Sequence, residues 1–232
     1  MTTGQTLHIA GIRCALAGSD GVLAELAELY AELEAREAAY KADARNPQLC
    51  YAGCSACCKK GAFFAVSLAE ALRLAIAVEA LTEAARARVR GEAQRLHDLQ
   101  REVFAQVPGA ADHPGLRDEA LFAARVTAVT RRGVACPLLA GDLCGVYDGR
   151  PLLCRAYGYP VDAYALRHDD ALMFRSLCAY YEGAELHDYV RAEDLKARLG
   201  ELSRRLGSGH DHGRFTSAEA ILAEVDPPRE KP

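Results

Sequence analysis

Seven of the nine cysteines in this 232-residue chain fall into two short stretches. Cys50, Cys54, Cys57 and Cys58 lie within nine residues of one another, and Cys136, Cys144 and Cys154 lie within nineteen. Cys178 follows alone and Cys14 sits far upstream. An odd number of thiols cannot pair completely. The segment from Met1 to Gly18 carries neither a basic stretch nor a long apolar run, so the expected compartment is the cytoplasm. Thiols stay reduced there, and clustered reduced thiols point to metal rather than to a disulfide framework.

Composition removes several other classes. With 28 basic against 32 acidic residues the net charge is -4, which leaves nucleic-acid binding without an electrostatic drive. No apolar run approaches the roughly 20 residues a bilayer span needs, so no membrane partner is expected. Half of the residues are hydrophobic, which suffices for a core that needs no cross-links.

Periodicity divides the chain into an N-terminal extension (1–18), a helical cysteine-cluster domain (19–206, core 47–180) and a flexible C-terminal tail with a short helix (207–232). From Ser19 to about Asn46, Val22, Leu26, Leu29, Leu33 and Tyr40 form one apolar stripe, with Ser19 or Asp20 as cap. Phe63 to Val66 reads as a short buried strand or a helix entry. Ser67 with Glu70 forms a capping box before an apolar face of Leu68, Leu72, Ile76 and Leu81. Thr82 starts a helix reaching about Val107, and residues 108–115 are rich in helix breakers. A helical pattern resumes over 116–128. Residues 134–147 read as a hairpin around Ala140-Gly141-Asp142. Helices are expected near 169–182 and 188–206, and Thr216 or Ser217 opens a last one. The expected fold is mainly α: an irregular helical domain with cysteine-rich loops and a short β-hairpin around a metal site. The 77 residues between Cys58 and Cys136 would travel out and return, bringing the two cysteine groups together.

Thiolate sulfur is the preferred ligand of zinc and of iron–sulfur clusters. Cys50-x3-Cys54-x2-Cys57-Cys58 lets one loop wrap a metal, with Gly53 permitting a tight turn. Neighbouring side chains tend to diverge, so Cys57 and Cys58 together suit a polynuclear cluster or two sites better than one ion. Four thiolates with zinc, or around an oxidised cubane, carry a charge of about -2. Lys59, Lys60, Arg150 and Arg155 stand beside cysteines and offset it, the two arginines being the candidate cofactor-binding residues. The first three cysteines also fit the radical SAM spacing. Ala56 stands where that signature carries an aromatic residue, and no strand–helix alternation for its barrel is present.

Taken with Cys136-Pro137-Leu138-Leu139, Cys144-x-Val146-Tyr147 and Arg150-Pro151-x2-Cys154-Arg155, the first motif resembles the YkgJ family of cysteine-cluster proteins. The resemblance spans about residues 47–180. It implies a zinc- or iron-chelating domain and metal ligands Cys50, Cys54, Cys57, Cys58, Cys136, Cys144, Cys154 and, as the late one, Cys178. The family's usual first spacing is two residues, whereas here it is three.

The leading expectation is therefore a [4Fe–4S] cluster serving redox or group-transfer chemistry with an unidentified redox or protein partner. The alternatives are closed structural zinc sites on a scaffold presenting helix 19–46, and metal storage or delivery. Cys14 reads as a small buried hydrophobe and His210-x-His212 as part of a polar tail. His168-Asp169-Asp170 reads as a helix start and Arg86-Arg88-Arg90 as a solvated face. Tyr147, Tyr157, Tyr159, Tyr164, Tyr180 and Tyr181 are expected to shield the site.

Overall fold

Helix α1 (Ser19–Ala42) supplies the longest wall of the core, and its buried residues are the stripe read from sequence, joined by Tyr30 and Glu37. The computed structural model describes residues 5–47, 51, 53–59, 64–106, 128–129, 131–162, 166–168, 171–173 and 188–226. Cys50, Lys60 and Cys178, the breaker cluster and nearly all of the pattern at 116–128 lie outside them.

The expected cap of α1 is corrected. Gly18, in the left-handed region at φ 60°, begins the helix without a side-chain bond. Ser19 instead donates its hydroxyl to Gln5 Oε1 at 2.8 Å. After the one-turn α2 (Ala56–Lys59), strand β3 (Ala65–Val66) leads into α3 (Leu68–Glu79), so the apolar entry is both strand and helix approach. The Ser67–Glu70 capping box is present. Leu68 and Leu72 are buried, but Ile76 faces outward. Helix α4 (Glu83–Ala105) is capped by Thr82, whose side chain accepts from the Ala85 N–H.

Strands β4 (Leu139–Ala140) and β5 (Leu143–Cys144) form the expected hairpin, paired Leu139 to Cys144 and Ala140 to Leu143. A 3-10 turn (Tyr147–Gly149) and α5 (Leu152–Ala156) follow. The helix expected at 169–182 is corrected at its start, because β6 (Leu166–His168) and β7 (Ala171–Met173) pair as a hairpin. His168 ends a strand there rather than opening a helix.

Helix α6 (Glu193–Leu206) starts later than its periodicity suggests. Asp162 explains the position: its carboxylate accepts from the backbone N–H of Ala192 and Glu193 at 2.6 and 2.9 Å. Arg36, Glu32 and Glu25 of α1 pair with Asp194, Arg198 and Arg205 of α6. The partners run in opposite order, so the helices are antiparallel. Exposed pairs contribute about 0–1 kcal/mol each and act mainly to set register. The buried face beneath them, with Leu26, Leu29 and Leu33 on one side and Leu195, Leu199 and Leu202 on the other, supplies the driving force.

Both end segments belong to the core. Strands β1 (Thr6–Ile9) and β2 (Ile12–Ala15) pair with each other, and β1 also pairs with β9 (Glu224–Asp226). Strand β8 (Phe215–Thr216) pairs with β3, and a second capping box, Thr216 with Glu219, starts α7 (Ser217–Leu222). Phe215, Ala218, Ala220 and Ile221 are fully buried. The reading of 207–232 as a flexible tail is thus corrected through Asp226. The Gly-Ser segment masks a short apolar strand and helix too brief to show periodicity. Cys14 is buried as expected, with its sulfur 3.8 Å from His212 Nδ1. No helix among the described residues is long and apolar enough to cross a membrane.

The β1–β2 connection places Ala10 at φ 51° and Gly11 at φ 75°, the two positive values of a type I′ turn. Alanine tolerates that region poorly. Ala10→Asn should raise stability by about 0.5–1 kcal/mol, read as a higher urea midpoint at unchanged m-value.

Candidate metal centre

The two cysteine stretches meet through the backbone. The Cys136 N–H donates to the Cys58 carbonyl at 2.7 Å, joining residues 78 positions apart in the chain. Gly53, at φ 89°, turns the first loop ahead of α2, and the Cys54 N–H bonds the Tyr51 carbonyl across that turn at 3.0 Å. On the other side the hairpin turns at Gly141, φ 63°. Asp142 beside it accepts from Ser55 Oγ at 2.8 Å and from the Lys59 ammonium.

Helix α5 brings Cys154 to the same place. One Glu70 oxygen completes the capping box of α3, while the other accepts the Leu152 N–H at 2.7 Å. A single buried carboxylate therefore closes one helix start and anchors the next. Arg73 donates to the Asp148 carbonyl, laying the 3-10 turn on α3. Gly149 is required there, since a Cβ would stand 2.8 Å from that of Ala77. Arg88 donates to the Pro137 carbonyl. Arg86 and Arg90 bind Glu79. The arginine run is thus a set of fasteners to α3 and to the Cys136 loop rather than a merely solvated face.

Five thiols, Cys57, Cys58, Cys136, Cys144 and Cys154, lie close enough to shift one another's ionisation. All are free, as is the half-buried Cys54. Contrary to the expected divergence, Cys57 and Cys58 place their sulfurs 3.8 Å apart. They sit on a single helical turn. A shared proton, donated from Cys58, lowers Cys57 to about 6 and pushes Cys58 up. Burial, reinforced by neighbouring thiols, raises Cys136 to about 12 and raises Cys144 and Cys154 as well.

The two arginines divide the work expected of both. Arg150 stacks 3.5 Å from the Tyr147 ring centre, and its charge favours the thiolates of Cys57, Cys144 and Cys154. Arg155 is buried and fully engaged. It binds Glu34 at 2.6 Å, the Asp148 carbonyl at 2.7 Å and the Arg150 carbonyl at 3.0 Å, over the Tyr30 ring. It holds the Cys154 loop to α1, a role sequence adjacency does not reveal.

The tyrosine shield is corrected in part. Tyr147 is exposed, and Tyr159 packs edge-on against Tyr40 beneath Lys41. Tyr164, Tyr180 and Tyr181 lie outside the described residues. Tyr30, which the sequence analysis did not single out, is the buried tyrosine within electrostatic reach of Cys154. Its ring lies between Arg73 and Arg155, and its ionisation responds to Cys154. Its buried hydroxyl has no hydrogen-bond partner among the described residues.

This donor set fits a thiophilic metal in chemistry: soft, free sulfurs on two stretches that the Cys136–Cys58 backbone bond joins, with the charge of Arg150 favouring several of their thiolates. Among the described residues, no three His, Cys, Asp or Glu side chains already form a coordination group. Residues 49–179, more than half of the chain, match the family model CxxCxxCC, described as a "putative zinc- or iron-chelating domain". No curated protein and no solved structure matches the chain.

On the α1 side of this face, Glu37 is buried and one of its oxygens lacks a partner among the described residues. Burial raises its carboxyl to about 7, against the favourable charges of Lys41, Arg150 and Arg155. A native value above the unfolded one means stability is greatest below about pH 4.5 and is lost as pH rises through about 7. Urea titrations should show wild type losing up to about 3 kcal/mol relative to Glu37→Gln across that window.

Proposed function

Because the chain belongs to the CxxCxxCC family of zinc- or iron-chelating cysteine-cluster domains, we propose that its metal is an iron–sulfur cluster, most simply one cubane. What supports a metal centre of this kind is a set of free thiols drawn from two remote stretches, Cys57 and Cys58 with Cys136, Cys144 and Cys154, which supplies the four thiolates that a cubane takes. On this reading Cys54, Cys57, Cys58, Cys136, Cys144 and Cys154, with Cys50 and Cys178, are the ligand candidates. Four bind iron and the others stand beside them.

A bound cluster would supply one-electron chemistry or an iron site for group transfer. The protein's own part is electrostatic and geometric. Arg150 offsets the charge of the thiolates. Arg155, Glu70 and Arg73 hold the Cys154 loop against α1 and α3. Tyr30, whose buried hydroxyl has no hydrogen-bond partner among the described residues, would raise a cluster's potential by donating to sulfur. A cytosolic setting, where thiols remain reduced, suits this reading, with a redox partner still to be identified.

Anaerobic purification followed by iron, zinc and acid-labile sulfide analysis tests it. The expected protein is brown, with about four irons and four sulfides per chain. Cys57→Ser and Cys144→Ser should each lose most of the iron. A colourless protein with stoichiometric zinc and no sulfide would replace the cluster with structural zinc.

A further inference from the structure

We infer that Asp142 is a positioning residue that latches the hairpin tip to the first cysteine loop and holds both thiol-bearing stretches in place independently of metal. Its consequence for metal rests on the reading above, but its geometry does not. One carboxylate oxygen, Oδ1, accepts from both Ser55 and Lys59. Those two residues bracket Cys57 and Cys58, and Asp142 itself stands two residues before Cys144. A single oxygen thus spans the junction that every ligand set drawn from both stretches must cross.

The two halves of the latch differ in strength. Ser55 is 6% exposed, so the donor end of its bond is shielded from water. Lys59 and Asp142 side chains are 56% and 65% exposed, and such a pair alone contributes little. The serine bond therefore carries most of the effect. The backbone bond from Cys136 to Cys58 lies behind the latch and survives any side-chain change. Removing the carboxylate should let the loops separate more often without unfolding the core, because Asp142 contributes no buried apolar surface.

A held junction changes how metal is bound. Ligands already gathered do not have to close a 77-residue loop when metal arrives, and that entropy is absent from the binding cost. Metal also leaves more slowly, since its ligands cannot drift apart.

The test uses the full chain in two arms. In the first, the metal-free protein is treated with dibromobimane, which bridges thiols close in space, and bridges between 54–58 and 136–154 are mapped by mass spectrometry. Wild type should give such bridges. Asp142→Ala and Ser55→Ala should reduce them severalfold, Lys59→Met less, with helical circular dichroism and melting temperature unchanged. In the second arm, zinc-loaded proteins are mixed with a chromogenic chelator, and Asp142→Ala should release zinc about tenfold faster than wild type. Equal bridging in wild type and both strong variants would overturn the latch. So would loss of helical signal in those variants, since the contact would then support the fold rather than place the loops. Wild type that forms the bridges yet takes up neither zinc nor iron would keep the latch and remove the metal reading.

Discussion

The thiol face exists because a chain that leaves Cys58 returns to Cys136 within reach of one backbone hydrogen bond. Closing such a loop costs about 4 kcal/mol of chain entropy. The cost is met by ordinary protein contacts. Helices α3 and α4 carry the chain out and back, the Arg88 bond to the Pro137 carbonyl fixes the return, and Glu70 fixes the start of α5. Each contact is modest, but together they define where three separate cysteine-bearing segments end.

That placement has an electrostatic cost. Burial raises Cys136, Cys144 and Cys154, and each thiolate opposes the next. Arg150 relieves only part of this, while Arg155, although adjacent in sequence to Cys154, is occupied by Glu34 and two carbonyls. Sulfur charge gathered in one half-buried place is stable only beside a compensating cation, which is the general reason clustered thiols and metals occur together. Tyr30 and Glu37 extend the same tension into α1, where buried polar atoms lack partners among the described residues.

Much of this was legible in the sequence, for identifiable reasons. The α1 stripe, the Ser67–Glu70 capping box, the α4 cap and the 139–144 hairpin follow from local periodicity and turn chemistry, which act over a few residues. The late start of α6 was not legible, because its capping carboxylate, Asp162, comes from thirty residues away. Residues 207–226 misled for a related reason: a two-residue strand and a six-residue helix are too short to display a period, and their burial depends on β3 and α4. At the site, the two cysteine stretches were legible by spacing alone. The work of Glu70, Asp142 and Tyr30 was not, since nothing in one dimension pairs Ser55 with a residue 87 positions on.

The small sheet of β2, β1 and β9 has a consequence for how the domain can be built into something larger. Thr6 stands opposite Asp226 across an antiparallel pair. Sequence fused ahead of the first and sequence fused behind the second would leave from the same end of the sheet. A linker of a few residues between these two strands could therefore splice this unit into a loop of another protein, or close it into a circle.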